Sequence, residues 1–264
     1  MSWRSWFAFP VLVVSFMAVL LIQRDRLTQL QQAATQPRLA DIKTDLEQQE
    51  LQLGLWRSLP AFGFDNLLAD WILLQFFQYF GDDEARELTG YDLTLDYYER
   101  VIELNPRFIE IYPFMATSGA IYAVDPKRTD ELITQGIDAM TPDVPHHAYT
   151  AVQNKAVNEL LFLANGGVKA QTTFAQAADW AAIYDDEASQ AAARFAGAIA
   201  QTLLENPDSR MVRVGSWNLI LQSVQDERSQ TLAITQIRAL GGDVVETDDG
   251  RLVPVFPSEE ETSE

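Results

Sequence analysis

The sequence of 264 residues contains no cysteine. This absence excludes a disulfide framework, a thiolate metal site and a cysteine nucleophile. It does not assign a compartment, because oxidising and reducing compartments both contain cysteine-free chains. Stability must come from a packed core, and a hydrophobic fraction of 47% is sufficient to form one.

Basic residues are scarce: 19 Lys and Arg stand against 38 Asp and Glu, for a formal net charge of -19. Phosphate binding requires a basic face, so this balance argues against a nucleic-acid partner. It also argues against polybasic attachment to anionic lipid. The charge is compatible with a basic protein partner and equally with a solvated helical surface.

Signatures of catalysis and of metal binding are also missing. The sequence has no dinucleotide fingerprint, no P-loop and no nucleophile elbow. Its only histidines, His146 and His147, are adjacent at a predicted helix start, where they would point about 100° apart and could not chelate one ion as an i,i+4 pair does. Three acidic clusters, at 82–84, 185–187 and 248–249, fit two helix starts and a turn. We therefore predict no enzyme activity, no cofactor and no metal.

An uncharged run, Trp6 to Ile22, is the longest apolar segment near the N-terminus. As a helix it would measure ~26 Å, slightly short of a ~30 Å hydrocarbon core. A cleaved secretory signal is the alternative, but no small-residue cleavage site follows the run. We predict a single-pass membrane anchor at 1–27.

The side of the membrane on which the main body lies is weakly indicated. Arg4 flanks the apolar run on one side, and Arg24 and Arg26 flank it on the other, which favours a cytoplasmic body. The short N-terminal tail favours a signal anchor that exports the main body. We predict an exported or lumenal body on the second ground.

Residues 28–60 are predicted to form a polar stalk with a helix over 38–54. After a break at Pro60 and Gly63, residues 67–80 are apolar almost all round, which is typical of a central core helix. Asp70 interrupts this helix and is expected to pair with a neighbouring helix, since an unpaired buried carboxylate is costly.

The alternative for the same helix is that one face docks on a protein partner or on the membrane surface. Trp71, Gln75 and Tyr79, with Phe76 beside them, are the candidate interface residues. Aromatic side chains of this size dominate the energetics of many interfaces.

Pairs of predicted helices, separated by short turns, make up most of the remaining chain. The phrase at 98–106, YERVIELNP, ends one helix, and Pro142 ends another 36 residues after Pro106. Asn165-Gly166-Gly167 turns the chain between two helices, and Asn206-Pro207 marks another break, before a helix in which Trp217 is expected to pack against the preceding one.

These phrases resemble tetratricopeptide repeats, whose period is 34 residues. Tyr112, Met115 and Ala116 match first-helix positions of the motif, and a second helix carries the Ala-x3-Phe-x2-Ala spacing at 170–177. The match covers roughly 92–224. Taken with the anchor, the chain resembles membrane-anchored tetratricopeptide-like proteins of bacteria, particularly cyanobacterial ones, and this resemblance implies an architecture without implying an activity.

The predicted fold is all-α, with antiparallel hairpins stacked as a tetratricopeptide-like solenoid over 61–240. A β-hairpin over 241–256 comes next, because Asp249-Gly250 separates two β-branched runs. The acidic tail, 257–264, is expected to be disordered.

Three functions compete on this architecture. A membrane-anchored scaffold that binds an unidentified protein partner, and assists assembly of a membrane complex, is the main prediction. The alternative is a structural subunit of a larger membrane complex. An enzyme on a degenerate helical fold is the third, with Asp70 and Arg100 as the only pair available to it.

Overall fold

The fold is known from a computed structural model. It describes residues 39–58, 60–224, 226–247 and 250–256. The predicted anchor and the acidic tail lie outside the described residues. None of the helices within these ranges is long and apolar enough to cross a bilayer.

The chain divides into two compact units, Met1–Gly54 and Leu55–Glu264. Helices make up most of the described residues. In chain order they are α1 (Leu39–Ser58), α2 (Asp65–Phe80), α3 (Asp83–Thr89), α4 (Thr94–Leu104), α5 (Ile111–Thr117), α6 (Pro126–Asp138), α7 (Tyr149–Phe162), α8 (Gly166–Ala181), α9 (Glu187–Glu205), α10 (Arg210–Ser223) and α11 (Glu227–Ala239). A π-helical turn, Ser118–Tyr122, continues α5. The predicted helical fold class is confirmed.

Several helices begin at a side chain that accepts a hydrogen bond from the backbone N–H three residues later. The accepting side chains belong to Asp82, Asp125, Asp186, Ser209 and Asp226. Each such cap stabilises its helix by about 1 kcal/mol. The acidic clusters at 82–84 and 185–187 are therefore helix starts, as predicted.

The predicted C-terminal hairpin is confirmed. Strand β1 (Asp243–Glu246) pairs antiparallel with β2 (Leu252–Val255), with Val244 opposite Pro254. Inward-facing Val244 and Leu252 pack against α10 and α11. The hairpin thus extends the helical core and does not form a separate domain.

Helices α7, α8 and α9 pack side by side in chain order, joined by short connections. Small residues form the seams: Ala170 and Ala177 of α8 are fully buried, as is Ala196 of α9. Phe174, 1% exposed, fills the remaining gap. The Ala-Phe-Ala spacing singled out in the sequence therefore lies in the core, where small side chains allow neighbouring helices to approach closely.

Gly167 illustrates how close these approaches are, and we predict a large effect for Gly167→Ala. A Cβ at this position would lie 1.8 Å from the backbone oxygen of Pro207. The substitution should lower the free energy of unfolding by about 1–3 kcal/mol, because the Pro207 backbone must move. Gly215→Ala is the matched control, since a Cβ there meets nothing within 4 Å and should stabilise α10 by about 0.5–1 kcal/mol. Urea unfolding of both variants measures the effects, and shifts of the same sign would contradict this packing.

After α9, the next helix no longer packs mainly against the one before it in the sequence. Helix α10 contacts α7 and α11 more extensively than it contacts α9. Arg213 of α10 donates a hydrogen bond to the Leu160 carbonyl at 2.7 Å, and Ser229 of α11 donates one to the Tyr122 hydroxyl at 3.0 Å. The C-terminal helices therefore fold back onto α7 and the π-helical turn.

Trp217 is buried, as predicted, but not against the predicted partner. It is 4% exposed and packs with Ile121, Ala233 and Ile237. Its ring meets Phe162 edge-on, with centroids 5.4 Å apart. Among the described residues, none from α9 belongs to this cluster. The prediction was wrong because α10 turns back onto α7.

The expectation that α2 is covered on all sides is also wrong. Ala69, Ile72, Phe76 and Tyr79 form its buried face. Phe76 packs on Tyr98 of α4 with ring centroids 4.5 Å apart. The opposite face remains uncovered within the described part of the chain, although it carries large apolar side chains, among them Leu67, Trp71 and Leu74.

Candidate protein-binding groove and apolar stripe

Two adjoining cavities form a groove along α5. The first, of about 450 Å³, lies between α5, α7, α9 and α10. The second, of about 490 Å³, extends the groove towards α2 and the start of α11. Both share Pro113, Thr117 and Ser223 as lining residues. We call the two cavities together the central groove.

The wall of the first cavity is mainly apolar. Its apolar lining residues are Pro113, Ala116, Ile121, Val157, Phe162, Phe174, Ala191, Ala192, Phe195, Leu219 and Ile220. Thr117, Gln153, Asn154, Asn158 and Ser223 supply its polar atoms. No charged side chain is among the described residues that line it. Such a wall favours an apolar segment over a charged metabolite.

Asn158 provides a buried polar group in this wall. The residue is 1% exposed, and its Nδ2 donates a hydrogen bond to the Pro126 carbonyl at 3.0 Å. Its Oδ1 is buried and accepts no hydrogen bond from the described residues. A buried acceptor without a donor costs about 1–3 kcal/mol.

Asp226 marks the other end of the groove. Burial raises the pKa of its carboxyl, but hydrogen bonds with Tyr122 and Ser229 outweigh burial and hold that pKa below its ordinary value. The carboxylate therefore stays ionised at neutral pH. It caps α11 and does not act as an acid.

A charged network lies among α6, α7 and α8. Lys155 Nζ is 3.3 Å from an Asp130 oxygen and also pairs with Glu159. Thr173 Oγ1 donates to Glu159 at 2.6 Å. Burial raises the pKa of Asp130, although Lys155 acts in the opposite direction. These groups pair with one another, so the network links the three helices.

The structure separates the three residues proposed as a protein interface. Trp71 is 51% exposed, and Gln75 is half-buried. Tyr79 is 1% exposed, its hydroxyl accepts a hydrogen bond from the Leu93 N–H at 3.2 Å, and the Arg86 guanidinium lies 3.9 Å from its ring centre. Tyr79 thus belongs to the core and leaves the candidate interface, whereas Trp71 and Gln75 stay candidates.

The exposed face of α2 carries four large apolar side chains. Leu67, Trp71, Leu74 and Phe77 are 66%, 51%, 56% and 42% exposed, and we call them the α2 stripe. Phe77 contacts Phe114 edge-on, with ring centroids 5.7 Å apart. Because Phe114 also lines the second cavity, the α2 stripe and the central groove meet at this pair.

The remaining candidates from the sequence do not assemble a reactive site. Asp70 is exposed, and the expected pairing with a neighbouring helix is not formed within the part of the chain that the structure describes. Arg100 pairs instead with Glu103 at 3.0 Å. The enzyme alternative therefore loses the only pair proposed for it.

The histidines lie in a turn before α7, where their ring centroids are 3.8 Å apart and the ring planes are tilted by 49°. Their expected divergence of about 100° was wrong because it assumed helical geometry. Within the described ranges, no group of three or more His, Asp or Glu is placed to hold a metal ion. The absence of a metal stays a prediction.

The central groove itself was not predicted from the sequence. Its residues come from separate helices, and each forms part of an ordinary amphipathic pattern. Among its large apolar lining residues, Phe114, Phe195 and Leu219 are 59%, 49% and 43% exposed, which departs from the pattern expected of a fully covered core. No family model, curated protein or solved structure matches this chain.

Proposed function

We propose that this protein is a non-catalytic, membrane-anchored interaction scaffold, and that its central groove holds a segment of a protein partner. The observation that carries this proposal is the groove along α5. It is open, mainly apolar and lined by α5, α7, α9 and α10, of which the first three are each the first helix of a predicted hairpin.

The groove is suited to a peptide segment in two respects. Phe162 and Phe195 offer apolar contact for side chains. Gln153 and Asn154, which are half-buried, offer amide groups that can bond to a peptide backbone. This combination of apolar contact and few polar groups is common in binding sites.

The remaining parts of the proposal come from the sequence. The run at 6–22 would anchor the chain in a membrane, with the body exported or lumenal, and the hairpins would stack as a tetratricopeptide-like solenoid. Solenoids of this type present long concave surfaces to their partners. A scaffold fixed to a membrane in this way would assist assembly of a membrane complex.

A structural subunit of a larger membrane complex is the second candidate function. The α2 stripe favours it, because contiguous exposed apolar side chains are typical of permanent interfaces. The two candidates differ in the stoichiometry and the salt resistance of the partner complex.

The experiment that tests the scaffold is affinity purification of the tagged full chain from gently solubilised native membranes, followed by mass spectrometry. Ala192→Trp fills the groove, because Ala192 is a half-buried lining residue. Ala198→Trp is the matched control, since Ala198 is exposed on the same helix outside the groove. We expect Ala192→Trp to release a sub-stoichiometric membrane partner that Ala198→Trp retains.

Two other outcomes contradict the scaffold. Equal recovery of every partner by both variants would remove the groove as the binding site. A stoichiometric, salt-resistant complex that neither variant disturbs would favour the structural subunit.

A further inference from the structure

We infer that the α2 stripe binds an amphipathic helix of a protein partner, and that this helix carries lysine or arginine beside its apolar face. The inference rests on the proposed scaffold function. It concerns the α2 stripe, a second binding surface beside the central groove, and the chemistry of the partner that binds there.

The geometry of the stripe suits a helix. Leu67, Trp71, Leu74 and Phe77 recur at spacings of three and four, so they lie on one side of α2. The span from the first to the last is ~15 Å, or about three turns. A straight apolar ridge of this length packs into the groove between the side-chain ridges of another helix.

The charge of the stripe points to a basic partner. Asp70 lies three residues after Leu67 and four before Leu74, so its exposed carboxylate stands within the stripe. Asp65 is exposed at the start of the same helix. The sequence has no lysine or arginine from residue 58 to residue 85.

The described cations closest to α2 in the sequence are already engaged. Arg57 pairs with Asp96 and Glu99, and Arg86 is 3% exposed. Arg100, on the α4 helix that packs against α2, pairs with Glu103. Asp70 therefore faces solvent without a cation from its own surroundings among the described residues, and a lysine or arginine on the partner would supply one.

The same charge disfavours the other occupants of the stripe. In a second copy of this chain, a symmetric contact would place Asp70 close to another Asp70, at a net charge of -19 per chain. A lipid surface would bury a carboxylate in apolar surroundings, which is costly, and an anionic headgroup would repel it. An apolar helix with a cation satisfies both features of the stripe.

The test uses the full chain in nanodiscs of zwitterionic lipid. The chain has no cysteine, so Gln78→Cys introduces a single thiol on the exposed side of α2 for an environment-sensitive fluorophore. The probes are two synthetic 18-residue helices with the same leucine pattern, one with lysine and one with glutamate at the polar positions. Empty nanodiscs with each peptide give the lipid background.

We expect the leucine–lysine peptide to bind at least about ten-fold more tightly than the leucine–glutamate peptide. Asp70→Lys should reduce that preference by about ten-fold, because it replaces attraction by repulsion. Leu74→Glu should abolish binding of either peptide. Leu204→Glu is its matched control, since Leu204 is 63% exposed on α9, and it should leave binding unchanged. Far-UV circular dichroism verifies that all variants keep their helices.

Three results would overturn the inference. Equal binding of both peptides, or a preference that Asp70→Lys does not alter, would remove the charge argument. A chain dimer that Leu74→Glu dissociates would identify a second copy as the occupant. A fluorophore at position 78 that lipid already shields before peptide is added would identify the membrane. None of these three results depends on the Ala192→Trp experiment. Failure of the inference about the α2 stripe can therefore be distinguished from failure of the proposed function of the central groove.

Discussion

Replacing Lys155 by methionine should lower the free energy of unfolding by about 3–5 kcal/mol, as expected when one member of a buried ion pair is removed. The Lys155 and Glu159 side chains are 16% and 6% exposed, and Asp130, at 18%, completes the network. Without the ammonium group, two carboxylates would share a largely buried site. Urea unfolding at neutral pH measures the loss.

The matched control for this change is Lys127→Met. Lys127 also pairs with a glutamate four residues later, but the two side chains are 83% and 63% exposed. Exposed pairs contribute about 0–1 kcal/mol, so the control should change stability by less than that. Similar losses in the two variants would show that the Lys155 network is not buried as described.

The deficit of Lys155→Met should also depend on pH. Burial already raises the pKa of Asp130, whereas Lys155 lowers that pKa. Removal of Lys155 should therefore raise the pKa of Asp130 further. A group whose folded-state pKa is raised favours folding at low pH and loses that contribution as pH rises through the folded pKa. The deficit relative to the original chain should therefore shrink on acidification, and a constant deficit would contradict the electrostatic cause.

Trp217→Ala should lower the free energy of unfolding by about 3–5 kcal/mol, the range typical for truncation of a buried aromatic. Trp217 is 4% exposed in the cluster that joins α10 and α11 to Ile121. Trp71→Ala is the matched control, because Trp71 is 51% exposed and should change stability by about 0.5 kcal/mol or less.

Hydrogen exchange localises the effect of Trp217→Ala. Backbone amides of α10 and α11 should exchange faster, whereas those of α8 should change least, since the cluster includes no described residue of α8. Uniform acceleration across all helices would contradict the fold-back of α10 onto α7.

The groove and the α2 stripe give the protein two candidate surfaces that meet at Phe77 and Phe114. A partner that binds both would gain affinity from the second contact without any new site. The Ala192→Trp and Asp70→Lys variants separate the two contributions, because one changes the groove and the other changes the stripe.

Local chemistry determined where most helices begin and end. Asp125 followed by Pro126 predicts the start of α6, because capping acts over three or four residues. Asn165-Gly166-Gly167 predicts the break between α7 and α8, although Gly166 and Gly167 form the first residues of α8. The C-terminal hairpin follows from Asp249-Gly250 in the same way. The missing cysteines exclude thiol chemistry in any fold, and the acidic charge argues against a nucleic-acid partner in any fold.

Tertiary structure decided which apolar surfaces are covered. Helix α2 is apolar on both faces, so its sequence cannot tell that Tyr79 is buried and Trp71 exposed. The pairing of Lys155 with Asp130, 25 residues away, and the packing of Trp217 on Phe162 depend on how distant helices meet. A side chain is buried when distant parts of the chain pack against it. The fold decides which parts those are, and the residues next to it in the sequence do not.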